Sequence, residues 1–143
     1  MEAKNYGIAG EAKAEEQGPV TLMTQEERTW SVLSHLSIFL NLVTGFLGPV
    51  AALIVYIVYR DRSQKVAFQA LQAMWYQVAW IVILGAGWAL TGLLTLVLIG
   101  FLLIPVMALL TVVPFVHSAY AAYRVSKDGE YRYPIIADMI EAR

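Results

Sequence analysis

Two long stretches of the chain contain no charged side chain, and they limit the fold more than any other feature. No Asp, Glu, Lys or Arg occurs from Thr29 to Tyr59, a run of 31 residues, or from Val66 to Tyr123, a run of 58. As continuous helices these runs would be roughly 46 and 87 Å long at ~1.5 Å per residue. The hydrocarbon layer of a bilayer is only ~30 Å thick. The second run therefore has to cross and return, and the first is long for one crossing and short for two. Composition agrees. Apolar residues make up 59% of the 143 and charged residues 15%, with a mean hydropathy of +0.60, where soluble domains average ~45–50% and ~25%. The expected fold class is an all-α integral membrane protein.

Other classes drop out on composition. A net charge of −1 excludes a basic nucleic-acid binder. The absence of cysteine excludes disulfides, thiolate zinc or iron–sulfur sites and CxxC redox chemistry. Residues 1–24 are acidic, glycine-punctuated and without an apolar core segment, so they read as a flexible tail rather than a signal peptide. Thr24-Gln25-Glu26-Glu27 fits a capping box and predicts a helix starting near Gln25.

Turn chemistry divides the apolar runs. Gly45, Gly48 and Pro49 allow a reversal in the first, giving segments of about 25–43 and 49–60; one kinked helix is the rival. In the second, a turn over Gly100–Pro105 separates about 64–98 from 102–124. The Gln-rich start, Gln64–Ala73, is expected to lie in the interface or against a neighbouring helix, with a bend before the true span. Four crossings arranged as two hairpins would put all ten Lys and Arg on one side, whereas three would divide them seven to three. The positive-inside rule thus predicts an integral membrane protein with both termini cytoplasmic. Trp30, Tyr56, Tyr59, Tyr120 and Tyr123 lie beside the charged borders, where aromatic rings collect. In the 125–143 segment, Asp128-Gly129 stops a helix and Pro134 opens a short amphipathic one, suited to the membrane surface or to a partner protein.

Polar side chains within apolar spans need partners. His35 lies seven residues after Arg28 and His117 seven before Arg124, which sets both about 10 Å from the charged border. Gln69 and Gln72 fall at a similar level. The expected intramembrane polar cluster is Ser34, His35, Asn41, Gln69, Gln72 and Ser118, with His117 at the same depth. Its plainest role is interhelical hydrogen bonding. A polar conduction path is a second reading. A third has His35 and His117 as axial ligands to haem or a chlorophyll-type pigment. No carboxylate or lysine lies inside the spans, no catalytic motif is present, and no metal-ligand set forms. The chain therefore reads as a non-enzyme: an accessory or scaffold subunit of a larger membrane complex, or else a component of a protein or solute translocation pore. Its expected partners are the lipid bilayer and other membrane subunits or further copies of itself, with no nucleic acid.

Three blocks carry a family resemblance. They are Glu27-Arg28-Thr29-Trp30 with Leu33-Ser34-His35-Leu36-Ser37 and Gly48-Pro49; Ser63 through Phe68-Gln69-Ala70-Leu71-Gln72-Ala73; and Asp128-Gly129-Glu130-Tyr131-Arg132-Tyr133-Pro134. Over about Glu26 to Ile140 the chain resembles the MamF-like small bacterial membrane family catalogued as domain of unknown function 4870. More remotely, it is similar to the twenty-kilodalton inner-envelope subunit of chloroplast protein import. The resemblance implies a polytopic helical membrane protein, and the remote relative is the source of the translocation reading. The family pattern carries a histidine where this chain has Gln69, so any activity of that histidine is lost here or reduced to hydrogen bonding.

Overall fold

The computed structural model describes residues 23–142, and the expectation for a flexible tail falls almost wholly outside them. Among the described residues the secondary structure is entirely helical. Helix α1 spans Gln25–Leu36 and continues through a 3₁₀ turn, Ser37–Leu40, into the single turn α2, Asn41–Thr44. Helix α3 covers Leu47–Tyr59, α4 Gln64–Thr95, α5 Gly100–Asp128 and α6 Pro134–Glu141.

Local chemistry sets most of the boundaries. Thr24 Oγ1 accepts from the Glu27 N–H at 3.2 Å while a Glu27 carboxylate oxygen accepts from the Thr24 N–H at 2.8 Å, so the expected capping box opens α1. Gly45 closes α2 at φ +82°, a conformation that favours glycine. Pro49 sits in the first turn of α3, where its missing N–H costs nothing. Gly129, also at φ +82°, ends α5, and Pro134 starts α6.

Two of these features differ from expectation. The turn between α4 and α5 lies at Leu96–Ile99, with Leu98 at φ +65°, ahead of the expected Gly100–Pro105. Gly100 serves close packing instead: a Cβ there would run into the Thr95 backbone and hydroxyl and the Thr91 carbonyl. Pro105 and Pro114 are carried inside α5, as membrane helices allow. In addition, α4 is one uninterrupted helix of 32 residues with no break near Ala73. Its polar start packs onto neighbours, which removes the reason for it to turn out toward the interface.

Contacts at both ends lay α3 back along α1. The Tyr59 hydroxyl donates to Glu26 at 2.8 Å, and Ser37 Oγ donates to the Gly48 carbonyl at 3.0 Å. Helices α4 and α5 likewise run alongside each other, from Tyr76–His117 to Trp88–Thr111. Two helices, α4 and α5, are long and apolar enough to cross a membrane, and α3 with 13 residues is shorter. The core is small and mainly aliphatic on one side (Val55, Val66 and Ala70 with Tyr59) and mainly aromatic on the other (Tyr76 and Tyr133 with Ala121). Most large apolar side chains from Val82 to Val116 face outward, the inverse of a water-soluble protein.

Candidate functional site

The buried centre of the molecule is polar. Gln69, Gln72, Tyr76 and Gln77 project from one side of α4, at the spacing that puts i, i+3 and i+7 on one face. They meet Ser34 and His35 from α1, and His117 and Ser118 from α5. His35, Gln69, Gln72 and Ser118 are all 1% exposed or less. The segment Gly129–Tyr133 runs beneath this group. Tyr131 and Tyr133 are two residues apart in a non-helical stretch, and both rings enter the cluster.

Hydrogen bonds join these parts. Gln72 clamps the segment's backbone twice: its Nε2 donates to the Tyr131 carbonyl at 3.1 Å, and its Oε1 accepts from the Tyr133 N–H at 2.9 Å. Gln69 Oε1 accepts from His35 Nε2 at 3.0 Å, which places the imidazole proton on Nε2 and leaves Nδ1 to accept from the Tyr133 hydroxyl at 3.3 Å. The Tyr133 hydroxyl also pairs with Ser118. His117 is held between two phenols, with Nδ1 2.8 Å from the Tyr76 hydroxyl and Nε2 2.7 Å from that of Tyr131. One phenol donates and the other accepts, since a neutral imidazole offers one of each. The rings pack as well. Tyr76 and Tyr133 stack at 4.2 Å and 15°, and His117 stands edge-on to both, with centroids at 5.1 and 5.0 Å. Burial raises the Tyr131 phenol above its ordinary pKa and raises that of Tyr133 well above it, so both remain neutral at physiological pH.

The remaining predicted positions are divided. Ser34 is buried but turns its hydroxyl back to the Trp30 carbonyl, while its own carbonyl accepts from Gln77 Nε2 at 3.4 Å. Gln77 Nε2 also donates to Ser37 Oγ at 3.0 Å. Asn41 stands apart from the histidines, at the start of α2, where its Oδ1 accepts from the Gly48 N–H of α3 at 2.7 Å. Tyr131 and Tyr133 belong to the site although they were not among the candidates from sequence, and Tyr76 and Gln77 join it from the polar face of α4 that also carries Gln69 and Gln72. The available signal was the Tyr-Arg-Tyr spacing in the C-terminal block.

The arrangement does not fit an axially ligated tetrapyrrole. All four ring nitrogens of His35 and His117 are engaged by side chains, and the Tyr133 ring stands 5.6 Å from one imidazole and 5.0 Å from the other, in the space a macrocycle would need. Among the described residues no three His, Asp or Glu come together as a metal site.

The profile of the magnetosome magnetite crystal formation protein family matches residues 26–140. The chain belongs to that family. The match starts in the capping box and ends in α6, so it takes in every residue of the cluster. Comparison with curated proteins and with solved structures gave no match. Family membership and the two long apolar helices make the chain a small helical membrane protein.

Proposed function

We propose that this chain is a non-catalytic accessory or scaffold subunit of a larger membrane assembly, contributing to magnetite crystal formation as its family's description states. The observation that carries the reading is the closure of the polar centre. Gln69, Gln72, His35, His117, Tyr76, Tyr131 and Tyr133 bond to one another or to the arm's backbone, and of the centre's buried side-chain atoms only Gln77 Oε1 is left without a partner among the described residues. A buried network satisfied in this way fixes one packing arrangement. A conduction path would need some of those groups free.

In this reading the membrane is a bacterial inner membrane or one derived from it. The segment α1–α3 enters from the basic side and returns to it, and α4 and α5 cross and return. The tail, the Arg60–Lys65 loop and the C-terminal segment then share the cytoplasmic face. Salt bridges at that face, Arg124–Asp128 at 2.8 Å and Arg132–Glu141 at 2.8 Å, support its being aqueous.

The test is gentle solubilisation after mild cross-linking, followed by native mass measurement. The proposal expects the chain to migrate with larger subunits at fixed stoichiometry, and expects its deletion to alter the size or number of magnetite crystals in a magnetite-forming host. A stable solitary monomer whose deletion leaves the crystals unchanged would defeat it.

A further inference from the structure

The first pair of helices is about half the height of the second. Gly48, at the tip of α3, packs against the Gln77 side chain. Thirteen residues of α4 lie between Gln64 and that level, and eighteen lie beyond it to Thr95, or ~20 Å against ~27 Å. On α5, His117 stands beside Tyr76, and seventeen residues continue past it to Gly100, another ~26 Å. The long pair therefore fits a whole bilayer with its headgroups, ~40–45 Å, while the tip of the short pair ends near the midplane.

The tip is built for a dry location. Asn41 Oδ1 takes the Gly48 N–H, Thr44 Oγ1 takes the Leu47 N–H at 3.1 Å, and the Asn41 carbonyl takes the Gly45 N–H at 2.8 Å. These are the donors that hydrocarbon tolerates least when unpaired. Around them Leu42, Val43 and Phe46 are 67, 88 and 63% exposed, and the aromatic anchors Trp30 and Tyr59 pack tilted against each other at the opposite, charged end.

We infer that the protein is a wedge in the bilayer and that the surface it fits is a curved one. The leaflet at the basic face holds four helices, and the other leaflet holds only α4 and α5. At ~10–12 Å per helix the cross-section differs by about twofold between leaflets. Such an inclusion is relieved where the wide leaflet is stretched, so it collects where the basic face is convex. The inference rests on the one-sided arrangement of basic residues proposed above.

The test uses the full chain with Lys127→Cys as its single thiol, reconstituted in giant vesicles of phosphatidylcholine and phosphatidylglycerol from which narrow tubes are pulled. A membrane-impermeant dye added outside marks only molecules whose basic face is outward. Their tube-to-vesicle ratio, normalised to a lipid dye, should exceed one and grow as the tube narrows. Molecules dyed from the lumen should give a ratio below one. A ratio of one at every radius, or the opposite signs, overturns the wedge. A nitroxide on Val43→Cys should report a depth near the midplane, and a depth at the far headgroups would mean equal cross-sections and overturn it too. Reaction of Arg62→Cys and Lys127→Cys from opposite sides would instead overturn the one-sided arrangement itself.

Discussion

Replacing Gln72 by leucine should unfasten the C-terminal arm while leaving the helices in place. Leucine is close to glutamine in volume, so the change leaves little cavity. It removes both partners of the arm's backbone: the Tyr133 N–H loses its acceptor at 2.9 Å and the Tyr131 carbonyl its donor at 3.1 Å. Gln72 is fully buried, so water cannot replace it without opening the site. Each orphaned group costs about 1–3 kcal/mol. The two together cost about 2–6 kcal/mol, so the opening equilibrium of the arm shifts by at least roughly 30-fold, since 1.4 kcal/mol is a factor of ten. Amide hydrogen exchange at Tyr133 in lipid nanodiscs reads this directly. Exchange should speed up by that factor, while amides in the middle of α4 and α5 keep their protection. An unchanged Tyr133 rate would show that the clamp does not hold the arm, and a uniform loss across the helices would show that the arm is not a separable element.

Gly48→Ala should destabilise the α1–α3 pair by about 1–3 kcal/mol: the new methyl meets the Gln77 amide oxygen and lies 2.8 Å from both Asn41 Oδ1 and the Ser37 carbonyl. A lower thermal midpoint in detergent checks it. Tyr133→Phe leaves His35 Nδ1 without its donor and should cost about 1–2 kcal/mol, with faster exchange confined to the arm. The raised pKa values of Tyr131 and Tyr133 give stability that is complete below the unfolded tyrosine value of ~10 and is lost as pH rises above it. Raising the pH from 8 toward 11 should therefore release the arm, read as new tryptic cleavage after Arg132. Glu27 is lowered by the Ser63 hydroxyl and then by the Thr24 backbone, so its contribution is present above the unfolded glutamate value of ~4.3 and fades as pH falls through the lowered folded value. Glu27→Gln should flatten the acid limb of a melting-point profile.

Local rules written in a few adjacent residues were legible in the sequence. Thr24 to Glu27, Asp128-Gly129 and Pro134 each carry their own capping or stop chemistry, and each does in the structure what its residues dictate. The absence of charge between Val66 and Tyr123 was sufficient for the membrane class. Placement that depends on neighbours was not legible. Gly100 looked like a turn residue, but its role is to let α5 approach Thr91 and Thr95, and the turn passes instead to Leu98, which nothing local recommends. Depth counting brought His35, Gln69 and Gln72 to one level, because helices have a fixed rise. Asn41 joined the expected cluster on polarity and helix face instead, and polarity alone does not tell a core partner from a cap. Tyr131 and Tyr133 escaped notice because the segment that carries them is short and irregular, and only tertiary contacts reveal that it folds inward.

The account depends most on the sidedness of the membrane-embedded chain, and one measurement addresses it. Single cysteines at Arg62, Leu98 and Lys127, in a chain that has none of its own, can be labelled with a membrane-impermeant maleimide in sealed vesicles of known orientation. Arg62→Cys and Lys127→Cys should react from the cytoplasmic side alone, and Leu98→Cys from the other side alone. Labelling of Arg62→Cys and Lys127→Cys from opposite sides, or of Leu98→Cys together with them, would contradict it.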